Sequence, residues 1–248
     1  SSNAILFVGG GDENNEFTGI FGAPKIDGAF WNAGLRGKLD RLTDYSVSFG
    51  EQHFGDSYGL SLNREAALLK TNISYLEETT TAGRQQQDYE ALFQFLTDIT
   101  GAELPTGGIS LYVRKRFAVD ATLTLPRSQL RFNAYNEDRN YLTRDPLLEL
   151  LFPDGNLLDE DGVVGTALSW TWTALPRTSI SIDAGWQKFD LRTSLDRPED
   201  IRLQLRLQRQ LPNDFYINAR TWRNVRSGTS ALQEYEEAAI SVGFGKNF

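Results

Sequence analysis

An all-β antiparallel fold that closes into a barrel of about 12 strands is what the sequence predicts, with short turns at one end and longer loops at the other. Three observations predict it. Apolar and polar residues alternate with a period of two in segment after segment. The connections between those segments alternate between short and long. The closing stretch, Tyr235 to Phe248, alternates down to an aromatic residue. Period-two alternation gives a strand two chemically different faces. In an outer-membrane barrel those faces meet lipid and lumen.

Taken in chain order, Ile5 to Gly10 is the first strand and has the weakest pattern. Ala29 to Leu39 sets Trp31, Ala33, Leu35 and Leu39 against Asn32, Gly34, Arg36 and Lys38. Tyr45 to His53 sets Tyr45, Val47 and Phe49 against Ser46, Ser48 and Gly50. Tyr58 to Arg64 sets Tyr58, Leu60 and Leu62 against Gly59, Ser61 and Asn63. Ala67 to Glu77 sets Leu69, Ile73 and Tyr75 against Lys70, Asn72 and Ser74. The long strand Leu111 to Leu125 keeps Val113, Phe117, Val119 and Leu123 opposite Arg114, Arg116, Asp120 and Thr122.

Gln129 to Tyr141 turns Leu130, Phe132 and Ala134 outward. Val163 to Ala174 sets Val164, Leu168, Trp170 and Trp172 against Gly165, Ala167, Ser169 and Thr171. Arg177 to Phe189 sets Ile180, Ile182, Ala184 and Trp186 against Ser179, Ser181, Asp183 and Gly185. Ile201 to Leu211 is the cleanest, with four apolar residues from Ile201 to Leu207 facing Arg202, Gln204, Arg206 and Gln208. Phe215 to Val225 sets Phe215, Ile217 and Ala219 against Asn218, Arg220 and Asn224. The last strand sets Ala238, Ile240, Val242, Phe244 and Phe248 against Ala239, Ser241, Gly243, Gly245 and Asn247. An even strand number allows closure without an exposed edge.

Short turns are expected at 41–43, 64–66, 126–127, 175–176 and 211–214. Longer loops are expected at 11–27, 78–110, 142–162, 190–199 and 226–234, with the turn at Gly55-Asp56 as the exception. Short periplasmic turns and long extracellular loops are the asymmetry of bacterial outer-membrane barrels. Residues 1–248 therefore read as one domain in the bacterial outer membrane. Within loop 78–110, Asp88 to Thr100 spaces Leu92, Phe93, Phe95, Leu96 and Ile99 as an amphipathic helix would. Two readings are open there: a lid or plug over the lumen, or a helix packed on the rim.

Composition narrows the function classes. The 248 residues contain no cysteine and one histidine, and the net charge is -8. Thiol chemistry and a disulfide framework are excluded, no metal site or cofactor is supported, and nucleic acid is disfavoured as a partner. A mean hydropathy of -0.40 is compatible with a barrel, whose strands hide their apolar residues among polar ones. No apolar run reaches the roughly 18 residues that a transmembrane helix needs. The start, SSNAILFVGG, has no signal-peptide pattern and reads as a mature or truncated terminus.

From Gly50 onward the chain resembles the outer-membrane proteins associated with PEP-CTERM/exosortase loci. The likeness lies in Phe54 to Leu62 (FGDSYGLSL), Ile73 to Glu78 (ISYLEE), the Pro176-Arg177-Thr178-Ser179 turn, and Tyr235-Glu236-Glu237 opening the last strand. The resemblance implies an outer-membrane barrel linked to exopolysaccharide production and surface sorting.

By parity the lumen face holds Arg36, Lys38, Lys70, Arg114, Arg116, Arg131, Arg202, Arg206 and Arg220. The acids expected among them are Asp120 and Asp183, with Glu137 nearer a loop. A pore takes its selectivity from the charges lining it, so this face predicts a channel for anionic solutes, saccharides included. The other reading is a barrel filled by its own arginines, acting as a structural or docking component of a secretion apparatus. Trp31, Tyr45, Tyr58, Tyr75, Trp170, Trp172, Trp186 and Phe248 are placed outward as membrane girdles.

The expected partners are outer-membrane lipid and lipopolysaccharide, an anionic saccharide, and the barrel-assembly machinery through the C-terminal strand. Catalysis is not expected. His53, with Asp56 and Ser57 nearby, is the only grouping a hydrolase could use, and no nucleophile elbow accompanies it. The acidic run Asp159-Glu160-Asp161 reads as solvated loop charge rather than a Ca²⁺ site.

Overall fold

The computed structural model describes residues 4–15, 26–81, 111–142, 160–191, 197–228 and 234–246. They form one sheet of twelve antiparallel strands, each paired with its neighbours in sequence. The strands are β1 (Ala4–Asn15), β2 (Ile26–Lys38), β3 (Thr43–Gln52), β4 (Gly55–Glu65), β5 (Leu69–Thr81) and β6 (Leu111–Leu125). They continue with β7 (Ser128–Tyr141), β8 (Glu160–Leu175), β9 (Thr178–Leu191), β10 (Glu199–Gln210), β11 (Phe215–Ser227) and β12 (Tyr235–Lys246). All twelve segments expected from alternation are strands. The expected helix at 88–100 and the girdle residue Phe248 lie outside the described residues. Loop 11–27 is shorter than expected, because β1 runs on to Asn15 and β2 begins at Ile26.

The sheet turns tightly at one end. In the β2–β3 turn the Leu39 amide donates to the Thr43 carbonyl at 2.9 Å, and Asp40 Oδ1 accepts from the Leu42 amide at 2.7 Å. That amide, the Thr43 hydroxyl and the Arg64 guanidinium together hold the Asp40 carboxyl below its ordinary range. Residues 66–68, Pro126-Arg127, Pro176-Arg177 and 211–214 make the other short links, with Arg177, Asn213 and Asp214 at positive φ. At the opposite end the one tight link is β3–β4, where Gly55 takes φ +109, a conformation that side chains resist.

Burial shows that the sheet curls and which face it curls around. In β10, Gln204 is 0% exposed while its neighbours Leu203 and Leu205 are 53% and 44% exposed. Across the described residues, the buried set is mostly polar and the exposed set is rich in Leu, Ile, Val, Phe and Trp. A water-soluble sheet does the reverse. A polar interior and an apolar exterior on one antiparallel sheet define a membrane barrel.

Closure through an even strand number is corrected in one respect. Among the described residues the ladder runs from β1 to β12, with no β12–β1 pairing. An even count lets the first and last strands pair antiparallel, but these edges must also come within roughly 5 Å of each other. The edges carry the evidence of their missing neighbour. Outward Val8 and Val242 are each 74% exposed, well above Leu203 inside the sheet.

Candidate functional site

Ladder register decides which side chains share the lumen. Arg36 pairs with Ser46, Ser46 with Ser61, Ser61 with Ser74, and Ser74 with Ala118. Directly opposite residues lie on the same face. Following the pairings around the sheet places Arg36, Lys38, Lys70, Arg114, Arg116, Asp120, Arg131, Asp183, Arg202, Arg206 and Arg220 on one face. That is the buried, polar face.

The same register puts more acids there than the sequence reading counted. Asp44, Glu65, Glu78, Asp161, Asp200 and Glu237 also face inward, as do the cations Arg139 and Arg226. The expected excess of cations is therefore cut back, most strongly at the loop end of the lumen. Parity could have found Arg139 and Glu237, which lie inside expected strands. Strands β5, β8 and β10 run past the points where the apolar pattern fades, so Glu78, Asp161 and Asp200 looked like loop charge.

At the loop end, β5–β11 carry a packed ionic network. Arg139 Nε donates to Glu137 Oε1 at 2.6 Å, and Arg116 Nη1 lies 3.6 Å from Glu137 Oε2. Glu137 is 1% exposed. Arg114 pairs with Glu78, and the Tyr141 hydroxyl donates to Asp161 Oδ2 at 2.7 Å. Arg226 grips Asp200 with two bonds of 2.7 and 2.8 Å, and Arg202 lies 3.9 Å from the same carboxylate. The Arg116 guanidinium sits 4.8 Å from the centre of the Tyr135 ring. These groups fill that side of the lumen, as side chains do in small barrels.

The turn end differs. Asp120 accepts from Asn133 Nδ2 at 2.7 Å; Asp183 accepts from Ser169 at 2.5 Å and from Gln204 at 3.5 Å. Lys38 pairs with Asp44 and Lys70 with Glu65, both as exposed pairs. Arg36 packs over Phe7, 6.0 Å from its ring centre. Arg131 and Arg206 make no ion pair among the described residues.

Outside, the aromatic residues fall at two heights. Trp31, Phe49 and Tyr58 pack side by side near the loop end, edge-on and tilted, with ring centres 5.4 and 5.5 Å apart. Trp186, also near the loop end, donates to Glu199 at 2.5 Å. Trp170 and Trp172 stack at 6.1 Å near the turns, and Tyr45 lies at the same end, in β3 beside the β2–β3 turn. Tyr75 faces outward and bonds Glu77. Two belts around an apolar band match the two interfaces of a bilayer.

The hydrolase grouping is not assembled. Ser57 points to the lumen and takes a 3.4 Å bond from Gln52, Asp56 lies on the outer face, and His53 Nε2 pairs with Thr79 Oγ1 at 3.0 Å. Adjacent residues on a strand point to opposite faces, which is why neighbours in sequence do not meet here. Among the described residues no group of His, Cys, Asp and Glu is placed to hold a metal ion.

An antiparallel barrel sheet with a polar lumen and two outer girdles is an outer-membrane protein of the transmembrane β class, and the chain belongs in a bacterial outer membrane. No family model and no curated protein matches it. Among solved structures it is similar to an outer-membrane expressed OmpT of Vibrio cholerae, with TM-score 0.47 and 9% identity over 86% of this chain and 62% of that one. It is also similar to a loop L8 deletion mutant of that OmpT (TM-score 0.44, 6% identity, 98% of each chain) and to a Pseudomonas aeruginosa FadL homologue (TM-score 0.37, 12% identity, 100% of this chain and 76% of that one). Likenesses of this order transfer neither a substrate nor a residue.

Proposed function

We propose that the barrel passes anionic solutes through a partly filled lumen whose turn end selects for negative charge. One observation carries this reading: the ladder gathers Arg36, Arg131, Arg206 and Arg220 on the inner face of the turn-side half, and Arg131 and Arg206 lack an acidic partner among the described residues. Cations lining a low-dielectric passage attract anions and exclude cations. The sequence resemblance supports a role in exopolysaccharide export, with an acidic saccharide as solute. Outer-membrane lipid and the assembly machinery are the other partners we assign, the latter through β12. No catalytic role is assigned.

The packed network around Glu137 favours a second reading, in which the loop end is shut and the barrel acts as a docking component. Planar-bilayer recordings of the refolded protein in a KCl gradient separate the two. Anion-selective steps are expected. Silence at every voltage would turn the assignment to the docking role.

A further inference from the structure

The turn end carries its cations unevenly. On the β2–β5 side Lys38, Arg64 and Lys70 are each paired, with Asp44, Asp40 and Glu65 respectively, leaving Arg41. On the β6–β10 side stand Arg127, Arg177 and Arg209, all exposed. None of these three makes an ion pair among the described residues, either with Asp214 in the neighbouring β10–β11 turn or with any other acid.

Two of the three arginines come from a repeated motif. Leu125-Pro126-Arg127-Ser128 links β6 to β7, and Leu175-Pro176-Arg177-Thr178 links β8 to β9. Proline suits the first place of such a turn. Arg177, in the second place, has φ +69, a conformation that glycine adopts at least cost. Turn chemistry therefore does not account for an arginine there.

Hydrogen bonds join the links into one stretch of rim. The Thr173 amide donates to the Arg127 carbonyl and the Gln210 amide to the Arg177 carbonyl, both at 2.8 Å. Arg209 stands opposite Thr178, on the outer face of β10. With strands about 4.8 Å apart, the backbones of Arg127 and Arg177 are roughly 10 Å from each other. Just inside them on the lipid face lies the row Trp172, Ile180 and Leu207, with Trp170 stacked on Trp172. Leu207 and Arg209 are two residues apart on one face, so this charge stands about 7 Å beyond the apolar row. Tryptophan marks the boundary of the hydrocarbon, and cations one step past it are at the height of the headgroups.

We propose that the rim formed by Arg127, Arg177 and Arg209 binds the phosphate of an anionic phospholipid headgroup. The place selects the occupant. Short turns face the periplasm in outer-membrane barrels, and the periplasmic leaflet is built of phospholipids. Guanidiniums present paired donors to a phosphodiester, and the Trp-lined face beside them takes the acyl chains. A zwitterionic headgroup brings its own ammonium, which the arginines repel, whereas an anionic one gains from each cation near the surface. The proposal goes beyond the channel reading: it rests on the outer-membrane placement alone and holds whether or not the barrel conducts.

The test is tryptophan quenching of the refolded protein in phosphatidylcholine vesicles. One set carries a minority of brominated phosphatidylglycerol, the other the same fraction of brominated phosphatidylcholine. Stronger quenching by the first is expected, with the difference shrinking as KCl is raised. Arg177→Gln is expected to lower the preference for phosphatidylglycerol about fivefold, the effect of one cation near an anionic surface. The triple variant Arg127→Gln, Arg177→Gln, Arg209→Gln should bring it within about twofold of none. Replacing the same three with lysine keeps the charge and should keep most of the preference, which separates loss of the site from misfolding. Arg223→Gln lies on the outer face toward the loops, where Arg223 is paired with Glu236 at 2.7 Å, and should leave the preference unchanged. Equal quenching by the two brominated lipids overturns the proposal and turns the rim toward an acidic soluble partner. An equal loss in Arg223→Gln and Arg177→Gln overturns it as well, since overall charge rather than this rim would then attract the lipid.

Discussion

Replacing Glu137 with alanine tests whether the loop-end network holds the barrel together. The carboxylate is 1% exposed and serves two guanidiniums, Arg139 at 2.6 Å and Arg116 at 3.6 Å. Removing one member of a buried ion pair costs about 3–5 kcal/mol, because the remaining charge stays desolvated. Asp161 lies 4.0 Å from Arg139 and takes up part of its charge, so the low end, about 3 kcal/mol, is expected. That is about a hundredfold in the folding equilibrium. Asp44→Ala is the comparison: its pair with Lys38 is more than half exposed on both sides, and the loss should stay below about 1 kcal/mol. Glu137→Gln keeps an acceptor for Arg139 and should fall between them. The assay is urea unfolding in micelles, followed by tryptophan fluorescence and by the mobility of the folded band on unheated gels. Equal midpoints for Glu137→Ala and Asp44→Ala would refute the reasoning, since burial would then have made no difference.

Two further outcomes follow from the same geometry. Leu205→Arg puts a charge on the lipid face and should destabilise the inserted barrel by about 2–4 kcal/mol, whereas Gln208→Arg on the lumen face should change it by less than about 0.5 kcal/mol; refolding titrations into liposomes would show the contrast, and matching losses would reverse the assignment of faces. Gly55→Ala forces a side chain into φ +109 at the β3–β4 link and should cost about 1–3 kcal/mol in the same unfolding assay; a neutral result would mean the link relaxes.

The strands were legible because lipid and water impose opposite demands on alternate residues. Ile201 to Leu207 could be assigned to faces by eye, and the register agrees at each position. The charge balance of the lumen was not legible. Near the strand ends the outer face no longer meets hydrocarbon, so Asp138 and Glu199 face outward where apolar residues would otherwise mark the pattern. Without that contrast, Glu78 and Asp161 could not be told from loop residues, and their pairing with Arg114 and Arg139 is a product of register alone. The His53 grouping, which the sequence already disfavoured for want of a nucleophile elbow, is also split by the pleat, which sends Asp56 and Ser57 to opposite sides.

Every ladder in this sheet joins strands that are consecutive in the chain. The longest stretch any of these pairings must close is 82–110, between Thr81 and Leu111. The entropy of closing such a stretch rises only with the logarithm of its length. The sheet can therefore grow hairpin by hairpin, each new strand finding a template already laid beside it. A ladder between β1 and β12, which the described residues do not form, would have no such help, because it would join positions from opposite ends of the sequence. Closing that seam would be the last step of assembly, so the rate of insertion should be set there rather than in any hairpin.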